Sequence, residues 1–194
     1  MLGMVGDHCA VLAMDRRLGA QFQTVATNFQ RIFKVSDKIL LGLAGLGTDI
    51  QTFSAALQYS VNLYKLREGR VIQPRAFMQL LVTSQYARRF GPYFVEPVVA
   101  GLNEANEPYI ATADSIGTLT DTDSFFCIGA GSAYLLGACE SFYKPGLGPE
   151  ELFEVAAQSL LSGVDRDALS GWGAVAYVLT PDGVTARTLK ARMD

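Results

Sequence analysis

The single histidine is the first residue to consider for acid–base chemistry, because a serine hydrolase would need it as a general base. His8 follows Asp7 directly and precedes a run of residues with strand character. Adjacent residues of a strand point to opposite faces of a sheet, so Asp7 is poorly placed to orient the His8 ring. The sequence therefore argues against a Ser-His-Asp hydrolase built on this imidazole.

Spacing also argues against metal and nucleotide sites made by side chains. The segment 121–123, Asp-Thr-Asp, is predicted to be a solvated turn, since no further carboxylate follows at EF-hand spacing. The GxG turn at 129–131 resembles a dinucleotide motif, but the next glycine is Gly137, which breaks the GxGxxG pattern. The flanking strands form no evident βαβ unit. We therefore expect that no cofactor is required.

The cysteines give a similar result. The chain has an odd number of cysteines, Cys9, Cys127 and Cys139, and no two of them form a CxxC motif. Free cysteine behaves as a small hydrophobic residue, so we expect buried thiols in a reducing compartment.

The bulk composition suits one globular domain over residues 1–194. The chain has 49% hydrophobic and 18% charged residues, which is enough apolar material for a large core and some buried interface. A net charge of −3 does not indicate the excess of positive charge that nucleic-acid binding requires. The longest apolar stretch, 39–46, is far short of the roughly 20 residues of a membrane span, and no secretory signal is visible.

Hydrophobic periodicity predicts blocks of strands and helices in place of a strict alternation. This order favours an α+β fold with two packed sheets, each covered by helices on its outer face. Thr48 and Gln51 are predicted to form a capping box at the first helix, which Gly69 ends. The predicted strands are 9–14, 22–27, 39–43, 98–102, 109–113, 125–128, 174–179 and 184–189, and the predicted helices begin near 48, 74, 132 and 149.

Several ordered blocks resemble proteasome beta subunits, in particular a non-catalytic type. The resemblance covers essentially the whole chain, which is far more specific than one glycine turn. It implies a four-layer αββα sandwich of the N-terminal-nucleophile hydrolase type. The blocks are 9–17 (CAVLAMDRR), 44–49 (AGLGTD), 63–70 (LYKLREGR), 89–93 (RFGPY), 166–171 (RDALSG) and 188–194 (TLKARMD).

The resemblance also implies roles for individual residues. Asp15 matches the acidic partner of the family's active-site lysine, and Arg31 falls where that lysine stands. Gly45 matches the glycine whose backbone amide is an oxyanion donor in active members, although tight packing is an alternative reason for it. Asp167 and Ser170 match residues that support the active threonine, and the alternative is that both are loop hydrogen-bonding residues here.

Three departures from the active pattern indicate that this chain has no catalytic residue. Asp15, Arg31, Gly45, Asp167 and Ser170 then form a vestigial frame, which is what remains of the family's active site. Arginine stays protonated, so Arg31 is expected to hold a fixed charge in a structural ion pair with Asp15. Ala130 stands where active members carry a serine. The family's spacing, counted back from Asp15, places the nucleophilic threonine just before Met1. The alternative is an active threonine peptidase whose given sequence lacks its start.

The resemblance implies an architectural role in the 20S core, in ubiquitin-dependent protein degradation in the cytoplasm and nucleus. The expected partners are other beta subunits in a seven-membered ring, an alpha-ring subunit and the opposite beta ring, without nucleic acid or membrane. Asp114 and Ser115 are candidates to line a neighbour's substrate cleft, and the alternative for Asp114 is a turn-capping role.

The resemblance further implies a structural cation, Mg²⁺ or similar. Its ligands would be backbone oxygens of Val164, Asp167 and Ser170, together with Asp194 from a subunit across the ring interface. The tail 190–194 alternates basic, small and apolar residues directly after a strand. We therefore predict that it is an assembly element.

Overall fold

The computed structural model describes residues 1–193, and in this range it contains four helices and three antiparallel sheets. The helices are α1 (Gly47–Glu68), α2 (Pro74–Tyr86), α3 (Ser132–Phe142) and α4 (Pro149–Val164). The strands are β1 (Leu2–Gly6), β2 (Cys9–Asp15), β3 (Leu18–Ala20), β4 (Gln23–Ala26), β5 (Ile32–Ser36), β6 (Ile39–Gly45), β7 (Val95–Leu102), β8 (Pro108–Ala113), β9 (Leu119–Thr122), β10 (Phe125–Cys127), β11 (Ala174–Thr180) and β12 (Gly183–Leu189).

Two five-stranded sheets form the centre of the molecule. The first has the order β10-β1-β2-β11-β12, and the second has the order β5-β6-β7-β8-β9. Strands β3 and β4 form a separate hairpin. All strand pairs in the described range are antiparallel, so the GxG turn after β10 does not belong to a parallel βαβ unit.

The two sheets pack face to face, and helices cover their outer faces. Helices α1 and α2 contact the second sheet, while α4 contacts β1, β2 and β11 of the first. Three buried clusters follow from this order of layers: one under α1 and α2, one between the sheets, and one under α3 and α4. The predicted α+β class and its two helix-covered sheets are confirmed.

Helix α1 begins differently from the sequence prediction. Its N-cap is Leu46, which makes no side-chain cap, and Thr48 lies inside the first turn. The predicted capping box of Thr48 and Gln51 is therefore wrong. The reason is tertiary: the Leu46 amide donates to the Phe94 carbonyl oxygen at 2.8 Å and fixes the helix entry. At the other end, Gly69 adopts the predicted left-handed conformation, with φ of 68°.

Short strands account for the other differences. Strands β1, β3, β5 and β9 were not predicted, because short strands carry too few residues for a clear alternation. The segment 121–123 was predicted to be a turn, but Asp121 and Thr122 belong to β9, and Asp121 lies 3.8 Å from Arg75. Within residues 1–193, no helix is long and apolar enough to cross a membrane.

Candidate functional site

Asp15 and Arg31 form the centre of the site, as the sequence predicts. Asp15 ends β2 and is only 5% exposed, and Arg31 directly precedes β5. The Arg31 Nη2 atom donates to the Asp15 carboxylate and also to the Asp15 carbonyl oxygen at 2.6 Å. The second carboxylate oxygen accepts the Gly171 amide at 3.3 Å. Both carboxylate oxygens of Asp15 are therefore engaged in structural hydrogen bonds.

The Arg31 side chain cannot act as a proton carrier. Its guanidinium group stays protonated, whereas a lysine at this place could release a proton. The side chain is 15% exposed, and its buried Nε atom has no hydrogen-bond partner among the described residues. Arg31 lines a small cavity of about 80 Å³ together with Met1, Asp15, Ala130 and Ser170. The geometry thus supplies a fixed positive charge at the centre of the frame.

Asp167 and Ser170 lie in the loop that follows α4 and bind each other. The Ser170 hydroxyl donates to Asp167 Oδ2 at 2.5 Å, and the Leu169 amide donates to Asp167 Oδ1 at 3.0 Å. These contacts agree with the alternative that Asp167 and Ser170 are hydrogen-bonding residues of the loop. The Gly171 amide then joins the loop to Asp15, so the structure brings Asp15, Arg31 and Ser170 together.

Gly45 ends β6 at the wall of an open cleft of about 670 Å³. Its φ of 124° lies in a region that L side chains rarely adopt, and a Cβ atom there would clash with the Phe94 carbonyl oxygen. Tight packing alone therefore accounts for a glycine. Ala44, Gly129 and Ala130 line the same cleft. A role of the Gly45 amide as an oxyanion donor stays a prediction.

Arg17 is a site residue that the sequence analysis missed. It is 9% exposed and donates to the Leu169 carbonyl oxygen at 2.8 Å, to Thr24 Oγ1 at 3.0 Å and to the Gln21 carbonyl oxygen at 3.2 Å. It therefore holds the loop after α4 against the β3-β4 hairpin. The available signal was the arginine doublet that follows Asp15, although a doublet alone does not show which arginine turns inward.

His8 takes no part in this site. It lies in the β1-β2 turn with a φ of 51°, and Nδ1 lies 3.0 Å from the Asn106 carbonyl oxygen. The prediction that Asp7 and His8 point apart is wrong in detail, because a turn replaces the strand and brings Asp7 Oδ1 to 3.7 Å from Nε2. Both side chains are more than half exposed, and neither lines the cleft.

Asp114 and Ser115 occupy the turn between β8 and β9. Asp114 Oδ1 accepts the amides of Ile116 at 3.0 Å and Thr118 at 2.8 Å, so the carboxylate caps this turn. Gln85, which is fully buried, supports the turn by donating to the Asp114 carbonyl oxygen at 2.9 Å. Ser115 lines the cleft of its own chain. Contact with a neighbour's cleft stays a prediction.

The predicted cation ligands lie on one loop but are engaged in turns. The Val164 carbonyl oxygen accepts the Asp167 amide at 3.2 Å, and the Asp167 carbonyl oxygen accepts the Ser170 amide at 3.3 Å. The same loop lines a cavity of about 380 Å³ that Ala191 and Arg192 also contact. Asp194 lies outside the described residues. Among residues 1–193, no group of three or more His, Cys, Asp and Glu side chains could hold a metal.

Comparison with known proteins confirms the family resemblance. Residues 1–179 match the family model described as proteasome subunit. The chain is 52% identical to proteasome subunit beta type-3 of Picea mariana and 49% identical to type-3-A of Arabidopsis thaliana, over all of this chain and 95% of each relative. It is 48% identical to the beta type-3 subunit of Saccharomyces cerevisiae, with the same coverage. The chain therefore belongs to the proteasome subunit family.

Proposed function

We propose that this chain is a non-catalytic structural subunit of the proteasome beta ring, at the beta type-3 position. One observation carries the proposal: an arginine, Arg31, stands where active members have a lysine, and it is bound to Asp15 on both the carboxylate and the carbonyl oxygen. The names of the relatives support the type-3 position. The function is then assembly, in support of ubiquitin-dependent protein degradation.

The surroundings of Arg31 support the absence of peptidase chemistry. Hydrolysis by a threonine needs a group that accepts its proton and later returns it. Neither the cleft nor the small cavity beside it is lined by a histidine, lysine or cysteine among the described residues. Ala130 has no hydroxyl group, and the Ser170 hydroxyl is bonded to Asp167. These observations support a site without a proton relay.

The layered fold supports an assignment to the N-terminal-nucleophile hydrolase type. Two face-to-face sheets with helices outside each are the arrangement that the family resemblance implies. We assign residues 1–194 to a single domain of this type, since one buried cluster lies between the two sheets and the other two lie between each sheet and its helices.

Family membership implies assembly with other proteasome subunits, and the surface offers apolar groups for it. The ring arrangement is part of the proposal: two different beta neighbours, an alpha-ring subunit and the opposite beta ring, in the cytoplasm and nucleus. Contacts in such a ring are heterologous, so the two sides of the chain must differ. Exposed aromatic side chains available for burial include Phe22, Tyr59, Tyr86, Phe90 and Phe94.

A structural cation at the loop after α4 is also part of the proposal. The Val164 and Asp167 carbonyl oxygens each accept one hydrogen bond and keep a second lone pair, which a hard cation such as Mg²⁺ can use. The Ser170 carbonyl oxygen and Asp194 of an opposite-ring subunit would complete the ligands. A high-resolution map that shows water distances at these oxygens, in place of metal–oxygen distances of about 2.0–2.6 Å, would count against it.

The test of the central proposal uses the assembled particle and an electrophilic probe directed at N-terminal threonines. We expect the probe to label other beta subunits of the same particle and to leave this chain unlabelled in intact-mass spectra. The labelled subunits serve as the internal control. Covalent labelling of this chain would identify it as an active threonine peptidase and end the non-catalytic proposal.

A further inference from the structure

Two cysteines that the proposed function does not use lie side by side at the edge of the first sheet. Cys127 ends the edge strand β10 and is half-buried, while Cys139 lies on α3 and is fully buried. Their Sγ atoms are 3.5 Å apart. A disulfide bond requires about 2.05 Å, so the sulfur atoms need to approach by roughly 1.5 Å. We propose that Cys127 and Cys139 are a site of reversible oxidation, at which a peroxide converts the two thiols to a disulfide.

The two sulfur atoms differ in their surroundings, which gives each a role. Cys127 is half-buried and Cys139 is fully buried, so peroxide reaches the pair at the Cys127 sulfur. The two thiols share a hydrogen bond in which either sulfur can be the donor, so the second sulfur is already in place beside the first. Cys127 is therefore the sulfur that is oxidised first, and Cys139 is its resolving partner.

The chemistry balances with hydrogen peroxide as the oxidant. The Cys127 thiolate attacks one peroxide oxygen, the O–O bond breaks, and the products are a sulfenic acid and one water molecule once the leaving hydroxide is protonated. The Cys139 sulfur then attacks the Cys127 sulfur, the S–O bond breaks, and a second water molecule leaves with the thiol proton. Two electrons pass from the thiol pair to the peroxide. A dithiol reductant reverses the change.

The disulfide would fix one wall of the cleft. The segment between the two cysteines contains Gly129 and Ala130, which line the cleft, and Ile128, whose carbonyl oxygen accepts the Met1 nitrogen at 3.1 Å. Among the described residues, β10 pairs with one strand, β1, and forms the edge of its sheet. A covalent bond to α3 would tie this free edge to the helix layer. Oxidation is thus expected to make the edge strand more resistant to local opening.

Cys9 provides an internal control in the same chain. It is fully buried, its Sγ lies 3.8 Å from the Leu147 carbonyl oxygen, and no thiol lies beside it in the described structure. Burial, followed by the nearby Asp7 charge, raises the pKa of Cys9 to about 11. Cys9 is therefore expected to stay reduced under conditions that oxidise the other two cysteines.

The experiment treats the native particle with hydrogen peroxide, stops the reaction with acid, unfolds the subunits and alkylates free thiols with N-ethylmaleimide. Mass spectrometry of this chain should then show one alkylated cysteine, Cys9, and a linked pair of peptides that contain Cys127 and Cys139. Dithiothreitol added before alkylation should restore three alkylated cysteines. Cys9→Ser should leave the linked pair unchanged.

Cys127→Ser and Cys139→Ser should each abolish the linked pair. Since Cys127 is half-exposed, the first variant is the safer one for folding. Three alkylated cysteines after peroxide treatment of the unsubstituted chain would overturn the proposal. So would oxidation of Cys127 or Cys139 to a sulfinic acid without any linked peptide, or a disulfide that involves Cys9.

Discussion

Arg31 holds Asp15 through a single guanidinium nitrogen, which donates to both the carboxylate and the carbonyl oxygen of Asp15. Asp15 ends a strand of the first sheet, whereas Arg31 leads into β5 of the second. The Arg31 carbonyl oxygen also accepts the Leu43 amide of β6 at 2.8 Å. This ion pair therefore joins the two sheets at the edge of the cleft.

Removal of Arg31 is expected to destabilise the chain strongly. In Arg31→Ala, the buried Asp15 carboxylate keeps only the Gly171 amide, so we expect a loss of about 3 kcal/mol in the free energy of unfolding. Arg31→Lys keeps the charge and loses one hydrogen bond, at a cost of about 1 kcal/mol. Urea unfolding of the isolated subunit measures both. Arg187→Ala, which breaks an exposed pair with Glu150, is the matched control and should change little.

If Arg31→Ala and Arg187→Ala proved equally mild, the interpretation of the Asp15 ion pair as a structural link between the sheets would be wrong. The Arg31→Lys variant adds a functional test, because it restores the residue type that active members carry. We expect it to remain unlabelled by the threonine-directed probe.

Gly45→Ala should be far more damaging than an alanine at an open glycine. A Cβ atom at position 45 meets the Phe94 carbonyl oxygen, and the φ of 124° adds backbone strain. We expect a loss of about 2–4 kcal/mol. Gly137 lies in the exposed middle of α3, with nothing within 4 Å of a built Cβ, so Gly137→Ala should stabilise by about 0.5–1 kcal/mol. Thermal unfolding compares the two, and similar effects would contradict the steric argument.

The variant Asp114→Asn tests whether Asp114 lines a neighbour's substrate cleft, because it removes the charge and keeps the turn. An asparagine keeps an oxygen for the Ile116 and Thr118 amides, so the turn should hold while the negative charge disappears. If Asp114 faces a neighbour's cleft, hydrolysis of substrates with basic residues by the assembled particle should fall relative to neutral substrates. Unchanged hydrolysis of every basic substrate would leave Asp114 with its turn-capping role alone.

The same variant has a predictable pH dependence. Partial burial raises the pKa of Asp114, but hydrogen bonds from Thr118, Ile116 and Gly117 outweigh it, so the folded pKa lies below the usual 3.8. The carboxylate therefore contributes stability above pH 3.8, and this contribution is lost as the pH falls through the lower, folded pKa. Urea unfolding between pH 6 and the acid limit should show a steeper loss in the unsubstituted chain than in Asp114→Asn.

Cys9 should react with iodoacetamide much more slowly in the folded chain than in the unfolded one. Burial, then the Asp7 charge, raises its pKa from 9.0 to about 11, so the thiolate fraction at pH 8 falls by about 100-fold. Because the folded pKa is raised, its contribution to stability is complete below pH 9.0 and is lost as the pH rises through about 11. Peptide mass spectrometry measures the rate, and equal rates with and without urea would contradict this prediction.

Deletion of residues 192–194 should slow the pairing of half-particles without unfolding the subunit. The described part of the tail lies against the loop after α4, where Arg192 lines a cavity and Met193 lies beside Gly173. A carboxylate at the end of this tail could pair with basic groups across the ring interface, where partial burial strengthens the contact. Native gel electrophoresis follows assembly. Normal yield and rate of full particles from the truncated chain would refute an assembly role.

The sequence determined the long elements and the composition of the frame. Helices α1 and α4 follow from apolar residues repeated at three and four positions, and the hairpin β11-β12 follows from a turn signal between two strands. The Asp15–Arg31 pair was predictable because its residue types and spacing match a known family. Local pattern was sufficient in these cases because the relevant interactions repeat along one element.

Only the tertiary structure decided contacts between distant segments. The start of α1 depends on Phe94, the enclosure of the loop after α4 depends on Arg17, and Cys127 meets Cys139 only because α3 packs on β10. Edge strands such as β9 form through hydrogen bonds to a neighbouring strand, not through their own alternation. These contacts are set by the packing of two sheets and two helix layers, a long-range effect that no local residue pattern contains.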